Sequence, residues 1–285
     1  MTLLSSTAFY IIAIPLSAMA ACLNLRLFFI FFKSTGGGKR HYSTLFLTLF
    51  VHLFFNVMSI SYSVACLLGI FQGTWNPLVI LWTGSCTFAS VSAMGTCNCC
   101  ISIDRIIAMR RPILYGLKYA RWTQVATVVL MIATFTFSSL RHHLAFVPPM
   151  SNTPAFNTII ATVSLRQAAL IKTIVSSVNL VLTVIFLRET RVFLRKLQNT
   201  QIHRSIKAAN QVVILQVAVE ALLMVFPDVI AVPLSFFDIS LPTIIGSFPT
   251  PLCAAYTFIC ALLLTLKVRK EHLSQNISVV TSKSG

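Results

Sequence analysis

The sequence predicts an all-α membrane protein, a bundle of seven transmembrane helices with the N-terminus outside and the C-terminus cytoplasmic. Three observations lead there. Of 285 residues, 56% are hydrophobic and only 10% are charged, against about 25% charged in an ordinary soluble domain. Seven mostly apolar runs reach the ~20 residues a helix needs to cross the hydrocarbon of a bilayer. All but Arg26, Arg141, Arg166 and Lys172 of the 22 Lys and Arg fall in alternate connections, and basic connections stay on the cytoplasmic side.

The first run, 8–32, begins without a basic flank and is longer than the core of a signal peptide, so it reads as a membrane span. Arg26 near its end is placed to snorkel to the inner face. The stretch "KSTGGGKRH" at 33–41 carries turn residues and leads to the second run, 44–71. "QGTWNP" at 72–77 does the same before the third, 78–103. The remaining runs are 123–140, 165–187, 211–234 and 243–266. The division this gives is a membrane domain over 1–266 and a short cytoplasmic tail over 267–285. No internal repeat, soluble domain or low-complexity tail interrupts it.

A net charge of +16 would suggest nucleic acid in a soluble protein. Here the charge lines the cytoplasmic connections, where it suits anionic lipid headgroups and an acidic partner. Nucleic acid is not called for. The eight cysteines lie inside apolar segments, which argues against a disulfide framework. "CNCC" at 97–100 points its side chains in different directions around one helix, with no nearby His. We read these cysteines as small, soft residues at helix contacts rather than metal ligands, and no cofactor is indicated. His142 and His143 are expected to be solvated on the outer side. The sequon "NIS" at Asn276 falls on the cytoplasmic side, where it should be silent.

Ionisable residues within spans are functional candidates by default. Lys172 falls in the outer part of the fifth span and Asp228 in the outer half of the sixth, so both can face one cavity. They form an ion pair, contact a polar ligand separately, or brace two helices structurally. Glu220, two turns before Pro227, pairs with a neighbouring helix or titrates. Pro227 in "LLMVFPDVI" removes a backbone hydrogen bond mid-membrane and kinks the sixth helix.

The stretch "ISIDRIIAMRRPILY" at 101–115 ends the third span with Asp104, Arg105, Pro112 and Tyr115. A carboxylate beside a guanidinium at a helix end can hold the arginine in one conformation and release it in another. A plainer reading is that both are interfacial charges that end the helix. The pattern D-R-x-x-A-x-x-x-P-x-x-Y resembles the rhodopsin-like G-protein-coupled receptors, whose third helix ends in Asp-Arg-Tyr ahead of a loop with Pro and Tyr. Here Ile106 replaces the tyrosine of the triplet.

Other landmarks depart from that family. Residues 141–164 lack the cysteine of the common outer-loop disulfide, the fourth span lacks a central Trp, and the fifth lacks its Pro. Val225 stands where Cys-Trp-x-Pro has Trp. "TPLCAAY" keeps Pro251 and Tyr256 without the Asn-Pro-x-x-Tyr spacing. The whole looks most like the divergent serpentine chemoreceptors of nematodes.

That resemblance implies a plasma-membrane receptor, in a sensory cilium for such cells, that binds a small-molecule ligand and activates a heterotrimeric G protein without being an enzyme itself. It makes Asp104, Arg105, Pro112 and Tyr115 the coupling switch. Lys207 stands where many members have an acid that clamps the arginine, so the resting lock is expected to be weak and basal signalling raised. Pro227 and Pro251 become helix pivots, Lys172 and Asp228 ligand contacts, and Asn24 and Asn56 interhelical hydrogen bonders alongside Glu220. The alternative is a transporter or channel, which would show inverted repeats, broken helices or a chain of intramembrane acids. An intramembrane enzyme would need a nucleophile or paired catalytic aspartates, and neither appears.

Overall fold

The computed structural model describes residues 2–33, 43–111, 114–149, 153–196, 215–237 and 247–283. Among them, seven helices are long and apolar enough to cross a membrane. They are α1 (Thr2–Lys33), α2 (Ser43–Gln72), α3 (Pro77–Arg110), α4 (Ala120–Leu144), α5 (Thr162–Lys196), α6 (the span Leu215–Leu234) and α7 (Pro249–Lys283). In hydrocarbon every backbone donor and acceptor has to be satisfied within the segment, which leaves helices as the form for such apolar runs.

The boundaries follow local chemistry. At Gly73 the backbone has φ +67, a left-handed turn that suits glycine. Asn76 then caps α3 by accepting from the backbone N of Leu78 at 2.9 Å, and Pro77 opens the helix where no donor is required. α3 runs on to Arg110, past the expected end at 103, because nothing breaks it before Pro112. Asp104 and Arg105 therefore sit within the helix, more than a turn before its end. α7 starts later than expected and continues unbroken through position 266 as far as Lys283.

α3 is the axis of the bundle. It packs against α2, α4 and α5, while α1 packs against α2 and α7, and α6 against α5 and α7. The buried face of α3 includes Gly84, Ser85, Ala89, Ala93 and Cys97, small residues that let neighbouring backbones approach. One core cluster joins Phe55 of α2, Met94 and Cys97 of α3, Met131 of α4, Met224 of α6 and Tyr256 of α7. Phe137, Val184 and Leu222 point outward at 60%, 62% and 65% exposure. Side chains of that kind on the outer surface of seven long helices make a lipid-facing belt.

The connection between α4 and α5 folds back into the bundle. Val147 N donates to Ile159 O and Ala161 N to Ala145 O, each at 2.9 Å, which closes it into a short antiparallel pair at Phe146 and Ile160. Phe156 is the buried tip, stacked on Phe88 at 4.9 Å between ring centres, and its backbone N donates to Tyr62 Oη at 3.1 Å. This fold-back overturns the expectation that the two histidines are solvated. His142 is buried edge-on to Phe156, and the ring of His143 lies 4.3 Å from that of Trp82.

Two further expectations are corrected. Pro251 lies in the first turn of α7, where its missing donor costs nothing, so it starts that helix rather than kinking it. Asn24 is buried, yet neither its Nδ2 nor its Oδ1 has a hydrogen-bond partner. One turn further along, α1 meets α2 and α7 through Leu27, Leu49 and Leu264, which offer neither donor nor acceptor.

Candidate functional site

Polar side chains from four helices meet inside the bundle. Asn179 of α5 donates Nδ2 to Glu220 Oε2 at 2.8 Å. Asn98 of α3 donates Nδ2 to the same oxygen at 3.3 Å and to Tyr256 Oη of α7 at 3.0 Å. Ser102, one turn along α3 from Asn98 and on the same face, donates to Asn179 Oδ1 at 3.1 Å. The result is a chain of hydrogen bonds that runs from Ser102 on α3 through Asn179 on α5 and Glu220 on α6 back to Asn98 on α3, and from there to Tyr256 on α7.

Glu220 is the residue before a π-helical turn, Ala221–Val225, after which α-helix resumes over Phe226–Phe236. Pro227 supplies no donor to the turn behind it. A π turn, whose bonds reach one residue further, accommodates that loss. The proline expected to kink the helix is thus preceded directly by a local change of helix type.

A cavity of about 20 Å³ borders this network, lined by Met94, Asn98, Lys172, Glu220, Met224 and Tyr256 among others. That is room for roughly one water molecule. Lys172 and Asp228, expected to share a cavity, do meet: Nζ and Oδ2 are 3.0 Å apart, joining α5 to α6 with both side chains mostly buried. Of the two, Lys172 lines the cavity. Asn56 Nδ2 donates to His52 O at 2.7 Å, and its Oδ1 accepts from Thr257 of α7 at 3.0 Å. It links α2 to α7, as an interhelical residue should.

At the far end of α3 the buried Asp104 accepts from Tyr115 Oη at 2.8 Å on each oxygen and from Thr123 Oγ1 at 2.5 Å. Both hydroxyls reach Asp104 because the π turn Tyr115–Tyr119 and the start of α4 fold back against α3. Burial and then the bonded carboxylate push the ionisation of Tyr115 above the ordinary value of 10. The phenol therefore remains a donor at neutral pH, and this tie weakens only as pH rises beyond that value. Arg110 of α3 reaches Glu189 of α5 at 2.6 Å, and Thr190 meets Met109 at 3.2 Å. Pro112 and Lys207 lie outside the described residues.

Asn98, Ser102, Asn179, Thr123 and Glu189 were not singled out from the sequence. Asn98 sits within "CNCC", where the three sulfurs are the more conspicuous chemistry. The signal was present, since Asn98 and Asn179 are strongly polar residues within apolar runs. Which of them face one another is decided by the rotation of each helix.

Residues 1–147 match the protein family described as serpentine type 7TM GPCR chemoreceptor Srbc. The match takes in α1 to α4, with Asp104, Arg105, Tyr115 and Asn98, while Lys172, Glu220 and Asp228 lie beyond it. No curated protein matches the chain.

Proposed function

The chain belongs to the Srbc family of serpentine-type 7TM GPCR chemoreceptors, and from that premise we propose that it binds a small chemical signal inside the bundle and activates a heterotrimeric G protein. The ligand acts beside Lys172 and Asp228. The coupling surface is the end of α3 that carries Asp104, Arg105 and Tyr115, with the N-terminus outside and this end facing the cytoplasm of a plasma-membrane receptor. The observation that supports the reading best is the cavity between α3, α5, α6 and α7, walled by Met94, Val175 and Met224 with a few convergent polar groups, the usual make-up of a small-molecule site.

At about 20 Å³ the cavity has room for roughly one water molecule, so a larger molecule has to part the helices around it. A ligand that enters it separates α5 from α6, and a ligand that binds better to the parted helices shifts the population toward them. That couples binding to movement of α6, which in turn bares the basic connections to the G protein.

The reading is tested in cells carrying a second-messenger reporter, first by screening small molecules for an agonist and then with Arg105→Ala. A variant at normal surface level should lose the agonist response. Full signalling by Arg105→Ala would sink the proposed coupling, and ligand-dependent flux of solute would favour a transporter.

A further inference from the structure

A ligand that has to part the helices works against whatever holds them together. We propose that Glu220 is the latch of the resting bundle: its carboxyl on α6 is held by one amide from α3 and one from α5, and releasing it frees α6 to move about the π turn that follows. The inference deepens the receptor reading above and takes its ligand cavity from it.

Four observations carry it. The bonds from Asn179 at 2.8 Å and Asn98 at 3.3 Å both end on Glu220 Oε2, so one side chain ties α6 to two helices at a single point. Among the described residues of α6 only Glu220, Met224 and Val232 are buried, so Glu220 is one of the few side chains that fix this helix to its neighbours. The π turn Ala221–Val225 lies between two of them, Glu220 before it and Asp228 after it, and Asp228 is bound to Lys172 on α5. Released at Glu220, the helix swings on the second tie rather than coming away.

The fourth observation is placement. Asn98, Glu220 and Tyr256 all line the cavity, so an entering molecule competes for the latch atoms themselves. A purely hydrocarbon ligand would leave those donors and acceptors unpaired in an apolar interior, which is unfavourable. The ligand that opens the latch carries a hydrogen-bonding group, such as a hydroxyl or an amide, on a small apolar body.

The test uses the full-length protein in phosphatidylcholine nanodiscs and reads amide hydrogen exchange helix by helix. Glu220→Leu removes the acceptor and Asn179→Ala removes one donor. Each should speed exchange across 215–236 by about tenfold, with α1 and α2 unchanged. Glu220→Gln keeps an oxygen that accepts both bonds and should stay close to the parent protein. No change in α6, or an equal rise in every helix, overturns the latch. A parallel measurement follows nucleotide exchange by an added heterotrimeric G protein, where Glu220→Leu should raise the basal rate. Faster exchange confined to α6, with no G-protein response from any form of the protein, would support the latch and overturn the coupling reading.

Discussion

A methyl group at position 84 would collide with a ring. A Cβ there would lie 2.3 Å from Cδ2 of Phe156 and 2.9 Å from its Cγ, so the glycine is a socket for the buried tip of the α4–α5 connection. With no cysteine between 141 and 164, this knob and socket anchors that connection without a disulfide. Gly84→Val should destabilise the protein by about 1–3 kcal/mol, the usual range for overpacking. Adding Phe156→Ala should recover part of the loss, because the two positions share one contact. Thermal unfolding of the four forms in detergent checks this, and strictly additive losses would count against it. In the sequence Gly84 is one small residue in "WTGSC", with nothing to mark it. Its role exists only because a residue 72 positions later folds onto it.

Between elements, the ties are polar where the membrane offers no alternative partner. Lys172 and Asp228 were legible in the sequence as rare charges in adjacent spans, and the 3.0 Å contact joins α5 to α6. Removing one partner of a buried pair strands the other, which costs about 3–5 kcal/mol. We expect Lys172→Ala or Asp228→Ala to lower the unfolding temperature sharply, and Lys172→Met with Asp228→Leu together to lower it less than either single change. A double variant as unstable as the worse single one would show that the pair is not what joins these helices. The Glu220 network was only half legible. Glu220 was evident as an isolated acid, but its amide partners on α3 and α5 depend on how three helices are rotated about their axes, and residue type does not report rotation. The same holds for Asn24, whose residue type suggested a bond that the helix contacts do not provide.

Over the whole molecule, the asymmetric spread of Lys and Arg implies one orientation in the bilayer. An epitope added at the N-terminus should be stained on intact cells, and one at the C-terminus only after permeabilisation. The reverse pattern would place Asp104, Arg105 and Tyr115 outside and remove them from any contact with a G protein. The arrangement around α3 also sets which parts of the chain act on one another. α3 reaches Glu220 through Asn98, α5 through Arg110 and Ser102, and the start of α4 through Asp104.

The seven spans, their order and the candidate charges within them were determined by the sequence alone. Hydrophobic length and the price of bare backbone in hydrocarbon are local properties of each segment, so each run declares itself without reference to the others. The tertiary structure decided everything that depends on two helices facing each other: the Glu220 latch, the hydroxyls that hold Asp104, the socket at Gly84 and the burial of His142. Those features arise from helix rotation and from the fold-back of one connection, and both are set by the packing of the whole bundle.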